Sequence, residues 1–370
     1  MIPVFEPIIG DEEIALVTEA LRRGEISGSF GKFIPEFEGK FAEYIGVRHA
    51  IAVTSGTTAL HLAVRAAGIG TGDEVLVSAS TNIATGLAAY HNGAVPVAVD
   101  SESETWNLDL GVLESLITSR SKAIIPVHLF GHPVDMDALM IIAQKYGLTV
   151  IEDCAESHGA TVRGRTTGSF GDMNCFSFYA NKIITTGEGG MICTNSDTYA
   201  EKLRLLRNLA FTKPRFWHQE AGFNFRMTGY QAAMGIAQLA RIEELIALKR
   251  DVASRYSEQL SGVPGLQLPS ELPWARNVYW MYGIVIGEEF GVPRDAVMQK
   301  LQECGIETRS FFCPMNIQPC FKDIKGRREI SCPTAERLWR DGLYLPSSYN
   351  LTDEQISYIC SCLRDISAAG

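Results

Sequence analysis

The chain has 370 residues, of which 46% are hydrophobic and 21% charged, and a formal net charge of −10 at pH 7. That length allows a large domain with a smaller one attached. The acidic balance gives no footing to nucleic acid or to an anionic membrane surface, which favour basic patches, and no run of about 18 apolar residues is present to span a bilayer.

Residues 11–23 read as an amphipathic helix, with Ile14, Val17 and Leu21 on one face. Residues 25–32 are a Gly- and Ser-rich loop, and 33–44 are helical again. From residue 49 strands and helices alternate. Strands are expected at 49–53, 74–78, 95–99, 123–129 and 149–153, with helices at 58–67, 84–91, 109–118 and 136–146 between them. This rhythm implies an α/β fold with a mostly parallel sheet covered on both faces. Two strands, 175–179 and 190–194, follow around a Gly-rich turn, then a helix at 199–209 and a polar, aromatic loop at 212–226. One long helix with a bend is expected over 228–260. A strand at 279–285 and helices at 294–304 and 353–365 complete the pattern. We place a large domain over 1–250, with its N-terminal segment able to pack on the second unit, and a smaller C-terminal α+β domain over 251–370.

The start, Met1-Ile2-Pro3-Val4, lacks the basic and apolar regions of a secretory leader. The nine cysteines are scattered and odd in number, which reads as free thiols in a reducing cytoplasm.

In an open α/β sheet, ligands bind beyond the carboxyl ends of the strands. Three features fall there. Ser55-Gly56-Thr57 joins a strand to a helix, where free amides and the helix dipole suit a phosphate. An ordinary helix cap would look the same. Asp153 ends the strand 149–153, and a carboxylate there needs a partner. That partner is a structural cation or a protonated pyridine nitrogen. Lys182 follows the strand 175–179 and precedes Thr185-Thr186-Gly187-Glu188-Gly189-Gly190. It is a candidate Schiff-base lysine, and Ser177 stands close enough in sequence to share the phosphate. Each feature alone is weak. In this order they match the site of aminotransferases of the large pyridoxal-phosphate fold, fold type I.

Other signals carry less. Gly68-Ile69-Gly70-Thr71-Gly72 follows a helix rather than a strand, which is wrong for a dinucleotide loop. His128, His132, Asp135 and Asp137 are better explained by a strand end and a helix cap than by a metal, so no metal is expected. Cys154 has no histidine partner in view.

With these residues the chain resembles the DegT/DnrJ/StrS-type sugar aminotransferases. The matching segments are Ser55-Gly56-Thr57-Thr58-Ala59-Leu60, Ile151-Glu152-Asp153-Cys154-Ala155-Glu156, Ser169-Phe170-Gly171-Asp172, Phe176-Ser177-Phe178 with Asn181-Lys182, Gly187-Glu188-Gly189-Gly190, and Gly222-Phe223-Asn224-Phe225-Arg226-Met227. The resemblance implies the cofactor pyridoxal 5′-phosphate, bound to Lys182 and paired through its ring nitrogen with Asp153. Ser55, Gly56, Thr57 and Ser177 would hold the phosphate, and Glu156 would lie near the ring oxygen. It further implies a homodimer with a shared site, to which Asn224 of the neighbouring subunit contributes. Arg226 and His218, with Trp217, would serve the substrate. Two positions depart from the family pattern. Asn82 stands where most members stack an aromatic residue on the cofactor, and Asn316 where many have histidine. The activity implied is amino transfer from glutamate to a nucleotide-linked 4-keto-6-deoxy sugar. A 3-keto sugar nucleotide or a small keto-phosphate remains open as the acceptor.

Overall fold

A computed structural model of the chain describes residues 1–368. Seven strands form the central sheet, in the order His49–Val53, Gly190–Thr194, Met173–Ser177, Thr149–Asp153, Ser121–Ile125, Glu74–Ser78 and Val95–Val99. From Met173–Ser177 onward neighbouring strands are parallel. Gly190–Thr194 runs antiparallel to both of its neighbours. Alternate residues enter different cores. Val75 and Val77 pack with Ile125 and Ile151 on one face, and Leu76 with Ile124 and Val150 on the other. Burial on both sides is why these strands read as continuous apolar runs.

The strand expected over 123–129 is Ser121–Ile125. Pro126 follows it and has no N–H to continue a ladder. The chain then turns through a short 3₁₀ segment, Leu129–Gly131, in which Phe130 takes a left-handed backbone with φ of 52°.

The helix expected over 228–260 is two helices, Gly229–Ala240 and Ile242–Leu260. Arg241 leaves helical geometry at φ −115° and ends one helix while opening the next. The second of these is rooted twice. Ile242, Leu245 and Ile246 join the core beside the large sheet, and Val252, Ala253, Tyr256 and Leu260 join a separate core. That second core lies under an antiparallel sheet ordered Leu266–Gln267, Tyr282–Ile286, Gly342–Leu345 and Arg309–Ser310. Helices Arg294–Glu303 and Asp353–Ala368 cover it. Residue 250 therefore falls inside a helix. The N-terminal segment reaches the same region, where Ile2 bridges to Ile306 and the Val4 carbonyl accepts from the Ser347 amide at 2.7 Å.

Candidate active site

A cavity of about 480 Å³ opens at the carboxyl ends of the central strands. Ser55, Gly56, Thr57, Asn82, Asp153, Glu156, Ser177 and Lys182 all line it. Residues far apart in sequence thus share one space.

One end is built for an anion. Ser55 caps the helix Gly56–Ala66, accepting from the Thr58 amide at 3.1 Å, while the Thr58 hydroxyl accepts from the Ser55 amide at 3.0 Å. A cap of this kind is worth about 1 kcal/mol. The amides of Gly56 and Thr57 have no acceptor among the described residues. They point from the positive end of the helix dipole. Ser177 Oγ accepts from the Tyr179 amide at 3.3 Å, which leaves its proton free to donate. Gly56 is required by close approach, since an added Cβ would lie 2.7 Å from Ser177 Cβ and 3.2 Å from its Oγ. Gly56→Ala is therefore expected to push Ser177 out of the cradle. Cofactor retention after dialysis, read by visible absorbance, should fall by roughly tenfold or more, through overpacking of about 1–3 kcal/mol.

Asp153 lies deeper and is 4% exposed. Its oxygens accept from the Thr85 hydroxyl at 2.8 Å and the Ala155 amide at 3.2 Å. Thr85 spends its one proton on Asp153, so the contact at 2.9 Å to Thr81 Oγ1 has Thr81 as the donor. Burial raises the Asp153 pKa, and the Thr85 hydrogen bond opposes this.

Lys182 faces Asp153 across the cavity without an ion pair to it or to any other carboxylate among the described residues. Its Nζ lies 3.7 Å from the centre of the Trp280 ring. Burial lowers its pKa, against the pull of Glu156 and Asp153. Its backbone is fixed, because Trp280 Nε1 donates to the Asn181 carbonyl at 2.6 Å and the Tyr349 hydroxyl donates to the Ile183 carbonyl at 2.8 Å.

Glu156 is 2% exposed and accepts from the Phe130 amide at 2.8 Å. The left-handed turn at Phe130 aims that amide. Burial raises the Glu156 pKa to about 7, opposed by Lys182. In the cofactor-free protein this acid binds a proton that the unfolded chain, near 4.5, gives up. Its stabilising share is full below pH 4.5 and is lost as pH rises through 7. Urea unfolding should accordingly show Glu156→Gln gaining relative stability at pH 8, with the gain fading toward pH 5.

A buried acceptor without a cation, an amine without an acid, and a cradle of free amides at one end fit pyridoxal phosphate. Asp153 would meet the ring nitrogen, Lys182 the aldehyde carbon, and Gly56, Thr57 and Ser177 the phosphate.

Asn82 caps the helix Ile83–His91, accepting from the Ala84 amide at 3.0 Å, and its carbonyl oxygen is thereby engaged. The remaining expected residues lie outside the cavity of their own chain. Asn224 is exposed and bridges Asn208. Arg226 donates to Asn208 Oδ1 at 2.8 Å. The His218 ring lies 2.8 Å from the Leu209 carbonyl on an exposed loop. Asn316 donates to Glu336 at 2.7 Å. Lining residues that sequence reasoning missed include Thr81, Asn181, Trp280, Arg309, Phe312 and Tyr344. Thr81, with Thr85 behind it, carried a signal, as hydroxyls four apart just beyond a strand end. The others come from distant segments.

His128, Glu152 and Cys154 lie together and buried. His128 Nδ1 accepts from the Val134 amide at 3.0 Å, so its proton sits on Nε2, which donates to Glu152 at 3.1 Å. Glu152 also accepts from the amides of Gly168, Phe170 and Gly171. These contacts satisfy the set as structural polar groups.

The chain is similar to known proteins along nearly its whole length. The chain is 45% identical to the GDP-perosamine synthase of Caulobacter vibrioides over 367 residues, covering 99% of this chain and 98% of that one. Among solved structures, DesV of S. venezuelae superposes with a TM-score of 0.89 at 35% identity, covering 96% of this chain and 94% of that one. Spr1654 of Streptococcus pneumoniae in its PLP form superposes with a TM-score of 0.91 at 27% identity, covering 100% and 99%. The model of the DegT/DnrJ/EryC1/StrS aminotransferase family matches residues 7–364. The chain therefore belongs to that family, with its fold type I architecture, and is a pyridoxal-phosphate-dependent transaminase.

Proposed function

We propose that the chain transfers the amino group of glutamate to C4 of a GDP-linked 4-keto-6-deoxy sugar. The observation that carries the chemistry is the facing pair Lys182 and Asp153, set apart in one cavity with a phosphate cradle at its end. The GDP-linked acceptor rests on the name of the Caulobacter relative.

Bound pyridoxal phosphate supplies an aldehyde carbon to receive the amino group and a ring to take up electrons. Asp153 holds a proton on the ring nitrogen, and Thr85 keeps its carboxylate an acceptor. Lys182, its basicity lowered by burial, would take the proton from the donor's α-carbon and pass it to the cofactor's aldehyde carbon. The second half-reaction runs these transfers in reverse on the keto sugar. Gly56, Thr57 and Ser177 grip the phosphate throughout. Assay of GDP-, dTDP- and UDP-linked keto sugars with glutamate tests the acceptor. Turnover confined to a GDP-linked 4-keto sugar is expected, and equal turnover of a 3-keto or dTDP-linked sugar would overturn that assignment.

The active unit in this reading is a homodimer in which Asn224 and Arg226 complete the neighbour's site. Both sit outside their own cavity, on a segment beside the exposed apolar side chains of Phe211, Phe216 and Trp217. Such a cluster calls for cover. Mixing inactive Lys182→Ala and Asn224→Ala proteins should restore part of the activity, because one site of the mixed dimer is intact. No recovery after subunit exchange would count against sharing. The cysteines are free thiols, which suits a cytoplasmic setting, and no described helix is long and apolar enough to cross a membrane.

A further inference from the structure

We propose that Arg309 takes the oxyanion that a substrate carries at the end remote from its reacting carbon. The inference rests on the aminotransferase reading above. Both proposed substrates bear such a group, a carboxylate on the donor and a diphosphate on the acceptor.

Among the residues lining the cavity, Lys182 and Arg309 are the cations. Lys182 is committed to the cofactor and to proton transfer. The inner anion cradle is committed to the cofactor's phosphate. Of the cations that its own chain brings to the cavity, Arg309 is therefore the one left for a substrate anion.

The strand geometry aims this side chain. Arg309 registers opposite Tyr344 across the antiparallel pair formed with Gly342–Leu345. Residues directly opposite one another project to the same face, and both line the cavity. Tyr344 is 7% exposed, whereas the Arg309 side chain is 62% exposed. The guanidinium thus reaches solvent while lining the same cavity as Tyr344, Phe312 and Trp280.

The guanidinium is also held in place with donors to spare. Its Nη2 donates to Glu307 Oε1 at 3.1 Å. The other Glu307 oxygen accepts from the Val4 amide at 3.0 Å, so Glu307 is itself anchored by the N-terminal segment. Nε and Nη1 of Arg309 donate to no group among the described residues. A fork with one arm fixed and the other free suits bidentate capture of a carboxylate or phosphate. An exposed arginine–glutamate pair adds little to stability, so the arrangement has little structural value to explain it. Glu156 and Glu188 also line the cavity, and neither pairs with Arg309.

The test uses Arg309→Met and Arg309→Lys holoenzymes. Glutarate, a dicarboxylate without an amine, and GDP serve as probes. Binding is read by calorimetry and by the cofactor's visible absorbance. The methionine protein should bind glutarate, GDP or both roughly tenfold or more weakly, with the KM of the matching substrate raised, as loss of a charge-assisted hydrogen bond requires. The lysine protein should keep part of the affinity. Loss confined to glutarate assigns the donor's carboxylate, and loss confined to GDP assigns the diphosphate. Unchanged affinity for both probes, in a methionine protein whose cofactor spectrum and circular dichroism match the parent, would overturn the proposal. Failure of the parent holoenzyme to aminate the GDP-linked sugar, with glutarate binding still dependent on Arg309, would count against the acceptor and leave this anchor standing.

Discussion

Lys182→Ala is expected to lower turnover by about 10⁴-fold or more, since it removes both the covalent tether and the proton carrier. The cofactor's visible absorbance should shift to that of unattached pyridoxal phosphate, and single-turnover conversion with glutamate should stall. The fold should survive. Lys182 Nζ makes no ion pair among the described residues and lies 3.7 Å from the centre of the Trp280 ring. Trp280 and Tyr349 hold the local backbone through main-chain carbonyls, which alanine retains. Turnover within about tenfold of the parent would remove Lys182 from the chemistry.

Asp153→Asn is expected to cost roughly 10³-fold in kcat, the scale of one lost electrostatic contact aimed at developing charge. The substitution keeps the size of the side chain, and its amide oxygen still accepts from Thr85, which lies 2.8 Å from Asp153 Oδ2. It loses the charge that, in the proposed reading, would hold a proton on the ring nitrogen. Removing a buried carboxylate whose partners are only a hydroxyl and an amide relieves desolvation. The amide nitrogen would then face the Ala155 N–H, donor against donor, which offsets that relief, so the asparagine protein should keep about its parent's stability to urea while being far less active. Full activity in stopped-flow half-reactions would exclude Asp153 as the nitrogen's partner.

Much of the inner site was legible because it is local. Asp153 is the last residue of its strand, Ser55 and Lys182 follow strands closely, and strand ends are visible in a βα alternation. The outer site was not legible. Trp280, Arg309, Phe312 and Tyr344 reach the cavity only through the pairing of short strands in the second sheet. Arg309–Ser310 is two residues long and has no hydrophobic period of its own. The helix Pro333–Asp341 escaped notice for a similar reason, since only Ala335 and Leu338 of its residues are buried. In the sequence the break at Arg241 looks like a bend, because apolar residues continue on both sides of it. Asn224 and Arg226 were expected at the site from resemblance, yet their own cavity does not contain them. A site shared between subunits, as proposed above, would leave no trace in the pattern of a single chain.

The doubly rooted helix Ile242–Leu260 has a mechanical consequence. It works as a splint across the two sheets, with its first turns set in one core and its last turns in the other. Swinging one sheet against the other would bend an unbroken α-helix or strip one of its ends from its packing. The N-terminal strap at Ile2 and Val4 adds a second brace on the same side. The body that carries Asp153, Lys182 and Arg309 is therefore braced against a hinge between its two sheets.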